Sequence, residues 1–245
     1  MVIIKNYNMK IILCFISSFF ILNNTISQVF FESGPASPIQ NAPIIVYGSE
    51  NLNKNIPFDR IRGSQFWYND WLLAHFYGEK DKSFGTYKAK MNLYTNEIHY
   101  LNNKNEEYVV ADNAVKKIVL YYNSDTSKVA ALFRNDIEAI NFSYNKVTYV
   151  QQLSYGKINF FKREKHIIKS ADSLFATQKR YYFSEDNNYF IEVNNKVEKV
   201  KKLNKENLLS FISNWSEYEQ WLNNNKIKWT NENEVLRFIS YYNQN

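Results

Sequence analysis

From Trp71 to about Val200 the apolar residues recur at every second position in short runs separated by polar turns, and after Asn204 their spacing changes to three and four. A period of two turns one side of an extended strand to the core, and a period near 3.6 does the same for a helix. The chain therefore expects sheet first and helices last: a β-dominated α+β fold, with a curved antiparallel β-meander packed against two C-terminal α-helices. The strand-like runs are "WLLAHFY" at 71–77, a second from Thr86, "YVVA" at 108–111, "AVKKIVLYY" at 114–122, "KVAALF" at 128–133, "VTYVQQL" at 147–153, "KINFF" at 157–161, "KRYYF" at 179–183, "YFIEV" at 189–193 and "NKVEKV" at 195–200. Tight links such as Ser154, Tyr155 and Gly156 argue for hairpins. "SEDNN" at 184–188 reads as one more turn, His166 to Thr177 leaves room for a short helix, and Asp136 to Tyr144 fits neither period.

Within "KAKMNLYTNEIHYL" at 88–101 the parity slips: Ala89, Met91 and Leu93 are odd, Ile98 and Tyr100 even. A one-residue slip would turn every later side chain over, so a β-bulge or tight turn is needed near Thr95 to Glu97. Asn96 is the expected site of an unusual backbone conformation. In the C-terminal part Leu208, Phe211, Ile212, Trp215, Tyr218 and Leu222 follow helical spacing behind Asn204 as N-cap, predicting a helix over 204–223. A second is predicted over 232–243 behind Asn231, with Glu234 in a capping-box position and Val235, Leu236, Ile239 and Tyr242 on its apolar face.

The first 27 residues have the form of a secretory signal peptide: Lys5 and Lys10, an apolar run from Ile11 to Leu22, and Thr25 and Ser27 in a small-x-small arrangement. Cleavage after Ser27 starts the mature chain at Gln28, and either Met1 or Met9 serves as the start. The apolar run is shorter than the roughly 20 residues a permanent membrane helix needs. Cys14, the only cysteine, lies inside it, so the mature chain is expected to have no disulfide, thiol nucleophile or cysteine metal site. Residues 28–62, punctuated by Pro, Ser and Asn, read as a partly ordered N-terminal arm with one extended piece at Ile44 to Tyr47; residues 63–245 read as one β-rich domain.

Aromatic residues make up 17% of the chain, with 19 Tyr and 18 Phe, which favours a half-buried pleated surface. Removing Lys5 and Lys10 from the 30 basic residues leaves 28 against 24 acidic ones. That excess is small and thinly spread, and nucleic acid is not an expected partner, because such surfaces cluster Lys and Arg on one face. "KREKHIIK" at 162–169, the densest basic stretch, also holds Glu164 and reads as a solvated strand or loop.

The stretches "GSQFWYNDW" at 63–71, "KMNLYTNEIHYL" at 90–101 and the C-terminal "LLSFISNWSEYEQWLNNNKIKW" and "LRFISYYN" resemble an uncharacterised family of exported proteins common in Bacteroidota. The likeness runs through most of the chain from Gly63. It implies export and a chain that stays together as one unit; the family brings no assigned activity, so no functional residue follows from it. Asp172, Ser173 and Leu174 match the short O-glycosylation acceptor pattern of such bacteria.

Of the three histidines, His75 lies in an apolar strand and reads as hydrogen-bonded or edge-facing, His99 forms with Glu97 a pair two residues apart on a strand, and His166 beside Glu164 reads as exposed. Two ligands do not make a catalytic zinc site, which normally takes three. Ser64 after Gly63 has no assignable partner, and Asp59, Asp70, Glu97 and Asp112 do not form a recognisable carboxylate pair. No metalloprotease, nucleophile-elbow, dinucleotide, phosphate-loop or EF-hand pattern occurs. The sequence thus nominates no catalytic residue, metal ligand or cofactor. Trp67, Tyr68 and Trp71 are the candidate ligand-binding residues, as a stacking surface for sugars or an anchor for a partner, against a packing role; the same choice holds for Trp215, Trp221 and Trp229.

These features point first to an exported, non-enzymatic protein that binds or builds in the cell envelope, with another envelope protein, a glycan or a lipid as partner. It would reside in the periplasm, at the outer membrane or outside the cell, with no transmembrane segment after signal cleavage. A periplasmic carrier of an apolar ligand such as a lipid is the alternative, and a secreted hydrolase comes third.

Overall fold

The computed structural model describes residues 44–45, 55–56, 60–111, 113–137, 140, 148–173 and 176–245, with backbone alone at 44–45, 55–56, 172–173 and 176–178. The expected signal peptide and cleavage site, Asp59, Asp112 and Leu174 lie outside them. A small two-stranded pair joins β1 (Ile44–Ile45) to β2 (Asn55–Ile56). The other described strands belong to an 11-stranded sheet containing β3 (Ile61–Arg62), β4 (Leu72–Tyr77), β5 (Ser83–Asn92), β6 (Glu97–Leu101), β7 (Glu107–Val109), β8 (Lys117–Tyr121), β9 (Val129–Arg134), β10 (Val150–Ser154), β11 (Ile158–Ser173), β12 (Ala176–Val193) and β13 (Lys196–Val200). The order is β13-β12-β11-β10-β9-β8-β4-β5-β6-β7, antiparallel throughout, and β3 joins β12 in parallel. The fold is β-dominated with C-terminal helices, as its two hydrophobic periods require.

The parity slip is a tight turn. Asn92 is buried and its Oδ1 accepts from the backbone N–H of Tyr94 and Thr95, while Asn96 takes φ 62°. The short polar side chain offers the backbone a local acceptor and tolerates the left-handed region. Met91 then faces Ile98, and Ala89 faces Tyr100, on one side of the sheet.

Two expectations are corrected at the long hairpin. β11 continues as a strand through His166 to Ser173, where the sequence leaves room for a short helix, and "SEDNN" lies inside the 18-residue β12. The polar residues stay extended because the opposite strand supplies partners in register: Glu185 faces His166, Asp186 faces Lys165, and Asn187 faces Glu164. Cross-strand pairs of opposite charge stabilise a sheet. The predicted helix 204–223 is likewise three pieces: α1 (Lys205–Leu209), a 3-10 turn (Trp215–Tyr218) and α2 (Glu219–Asn225). The break begins at Ser210, whose Oγ donates to Asn207 O at 2.8 Å, a local side-chain bond of the kind that competes with helix continuation. α3 (Glu232–Gln244) starts where expected, Asn231 accepting from the N–H groups of Asn233 and Glu234.

One side of the sheet carries two large cores. Leu72, Ala74, Phe76, Met91, Ile118, Leu120 and Phe133 form the first, closed by the curl of β4–β9 and by Trp67, Val110, Val115 and Tyr149. Ile158, Phe160 and Ile191 form the second, covered by Leu208, Leu222, Val235, Phe238 and Ile239 of the helices. The curl brings the turn after β5 against the free edge of β11, where the His166 N–H donates to Leu93 O at 3.1 Å. Residues 65–67 lie along β5, Leu93 N–H donating to Gln65 O and Trp67 N–H to Met91 O, before the chain enters β4.

Candidate functional site: a charged band on the long hairpin

Side chains two apart on a strand share a face, and directly opposed residues do too. On β11 and β12 this sets Lys162 opposite Tyr189, Glu164 opposite Asn187 and His166 opposite Glu185, all on the inner side. Below them lie Phe160 and Ile191 of the helix-covered core; above lie Ile168, Phe183 and Tyr181, packed with Ile61 and Tyr94. A charged band is therefore enclosed between two apolar layers.

Glu164 is its centre. One carboxylate oxygen accepts from Lys162 Nζ at 2.8 Å and the other lies 3.4 Å from His166 Nε2, with Glu164 10% and Lys162 and His166 12% exposed. Glu232 of α3 lies 3.4 Å from Lys162 Nζ and accepts from Tyr189 Oη at 2.7 Å. Burial works to raise the Glu164 pKa, but the hydrogen bonds to His166 and Lys162 outweigh it and hold the carboxyl below its ordinary value. The hydrogen bond to Glu164 raises His166, against an opposing effect of burial. Burial would lower Lys162, yet its contacts to Glu164 and Glu232 leave it raised. Tyr189 is pushed up by burial and then by Glu232.

The other His166 nitrogen, Nδ1, lies 2.7 Å from Ser64 O, so it carries a proton and donates. Gly63 takes φ +93°, a backbone turn that disfavours side chains, and presents this carbonyl immediately after β3. Histidine thus meets Ser64 at its main chain; the Ser64 hydroxyl accepts from Phe66 N–H. Asn187 Nδ2 donates to Glu185 Oε2 at 3.0 Å, while Asn187 Oδ1 is buried with no hydrogen-bond partner. Among the described residues, Glu164, His166 and Glu185 form a cluster that could hold a metal ion, their ligand atoms lying within 4.8 Å of one another.

The outer side of the same hairpin differs. Lys165, Lys169, Arg180 and Tyr182 are exposed there, and Arg62 joins them through its pairing with Tyr182. Asp186, opposite Lys165, is the exposed acid among the described side chains of that face.

Of the sequence candidates, Trp67 and Tyr68 lie together with ring centres 6.2 Å apart. Trp67 packs edge-on against Phe133 with ring centres 5.7 Å apart, Trp71 lies half-buried beneath Lys90, and Tyr68 is 40% exposed with its edge against Tyr122. Trp221 stacks on Tyr241 at 4.4 Å and Trp229 packs on Phe238, while Trp215 joins the same core. His75 bonds Ser83 and Thr86. His99 is buried and paired through Nδ1 with Glu107 at 2.7 Å, so Glu107, not Glu97, is its partner. His166, read as exposed, is half-buried within the band. Its signal was the alternation of Lys162, Glu164 and His166 with Arg163 and Lys165, which places the two sets on opposite faces.

No described helix is long and apolar enough to cross a membrane. Comparison with protein-family models, curated proteins and solved structures finds no match to this chain.

Proposed function

We propose that this is an exported protein of the cell envelope that acts by binding, docking the outer face of the β11–β12 hairpin onto the anionic headgroups of a lipid leaflet. The leader-like first 27 residues support export. The observation that carries the docking is the exposed set Arg62, Lys165, Lys169 and Arg180 around Tyr182, opposed among the described side chains of that face by the exposed acid Asp186. A two-stranded ribbon presents these cations on an extended face, suited to a flat charged partner. Each basic residue near an anionic leaflet contributes about 1 kcal/mol, and tyrosine favours the headgroup level.

Co-sedimentation with phosphatidylglycerol-containing vesicles, against neutral phosphatidylcholine vesicles, tests this. Binding should favour the anionic vesicles, weaken as salt rises, and disappear in the K165E/K169E/R180E variant. Equal binding to both vesicles, or full binding by the variant, contradicts the reading.

A further inference from the structure

We propose that Glu164, His166 and Glu185 form a site for one divalent transition-metal ion, of the kind represented by zinc, held by His166 Nε2 and a carboxylate oxygen from each glutamate. This departs from the expectation of no metal ligand and goes beyond the docking reading.

The placement suits the chemistry. Two ligands sit two residues apart on one strand and the third directly across, so all three project from one face. The separation of 3.4 Å between His166 Nε2 and Glu164 Oε1 matches two ligands of a tetrahedral ion with bonds of about 2.1 Å. It exceeds the roughly 2.7–2.9 Å of a charge-assisted hydrogen bond.

Each ligand is also held at its other polar atom. Ser64 O accepts from His166 Nδ1, leaving Nε2 with the lone pair a metal needs. Lys162 binds the far oxygen of Glu164, and Asn187 Nδ2 donates to one oxygen of Glu185. Outer contacts of this kind orient metal ligands. Lys162 is balanced by Glu232, so Glu164 and Glu185 supply two negative charges for a dication. Three protein ligands leave a position for water, and the unpartnered Asn187 Oδ1 offers an acceptor in the same band. Imidazole with carboxylates selects zinc and its neighbours over calcium, which prefers six to eight oxygens.

The test is calorimetric titration of Zn2+ into untagged, chelator-stripped protein, repeated with Ca2+ and followed by visible absorption with Co2+. The expected result is one Zn2+ per chain, little response to Ca2+, and a loss of about tenfold or more in affinity in H166Q and in E185Q, with E206Q on α1 unchanged. Glu185 is exposed, so E185Q should fold even if H166Q does not, and it decides alone in that case. Absence of saturable Zn2+ binding in the intact chain, or binding by folded E185Q within twofold of the intact protein, overturns the proposal. Vesicle binding does not enter this readout, so either proposal can fail without the other.

Discussion

The two halves of the sheet bury the same face by different means. β4–β9 curl until the sheet covers itself, with Tyr149 Oη donating to Val115 O beneath the core. β10–β13 have no such closure and borrow α1, α2 and α3 to cover Phe160 and Ile191. Beyond the helices the hairpin continues, and its inner face carries the charged band of Lys162, Glu164, His166 and Glu185. A single continuous ladder therefore leaves each stretch of its inner face to find cover separately, and chemistry becomes available where the apolar cover stops.

Removing helix cover should break this contrast most strongly. Phe238 is buried at the centre of the helix-covered core against Trp221 and Trp229, and Phe238→Ala should cost about 3–5 kcal/mol in chemical denaturation. Amide exchange should accelerate in β10–β13 and remain slow in β4–β6; equal acceleration in both halves would mean that the first core also depends on the helices.

Lys162→Met comes next. It leaves Glu164 half-buried beside Glu232 without its ammonium partner, and removing one member of an enclosed pair costs several kcal/mol when burial is complete. About 2 kcal/mol is expected here. A neutral or stabilising result would show that the band is held by packing alone.

The pH profile of chelator-treated protein sharpens the same point with a smaller effect. His166 is held above its ordinary 6.5, so its contribution is present below that value and fades as pH rises through the folded one. Glu164 is held below its ordinary 4.5, so its contribution is present above that value and fades as pH falls. Thermal stability should peak between these limits, and H166Q should flatten the alkaline side.

Elements governed by hydrophobic period and caps were legible in the sequence: the meander, the Asn96 turn and α3 behind Asn231. "SEDNN" was misread because its residues favour turns locally, whereas their strand is set by partners about twenty positions away in "REKH". The break in the helix after Leu209 was missed because Phe211, Ile212 and Trp215 keep helical spacing beyond Ser210, where the break begins. His166 was placed in solvent because Ser64, Leu93 and Phe183, which contact it, are remote in sequence.

Continuity of β11 and β12 supports both the charged band and the basic face, and cysteine cross-linking tests it directly. A chain begun at Gln28 has no native cysteine, so introduced pairs report without background. Ile167 and Ser184 are directly opposed, and opposed strand residues lie within disulfide reach. I167C with S184C should cross-link rapidly, and I167C with E185C, on opposite faces, should not. Preferential cross-linking of I167C with E185C, or of neither pair, would contradict the continuous hairpin.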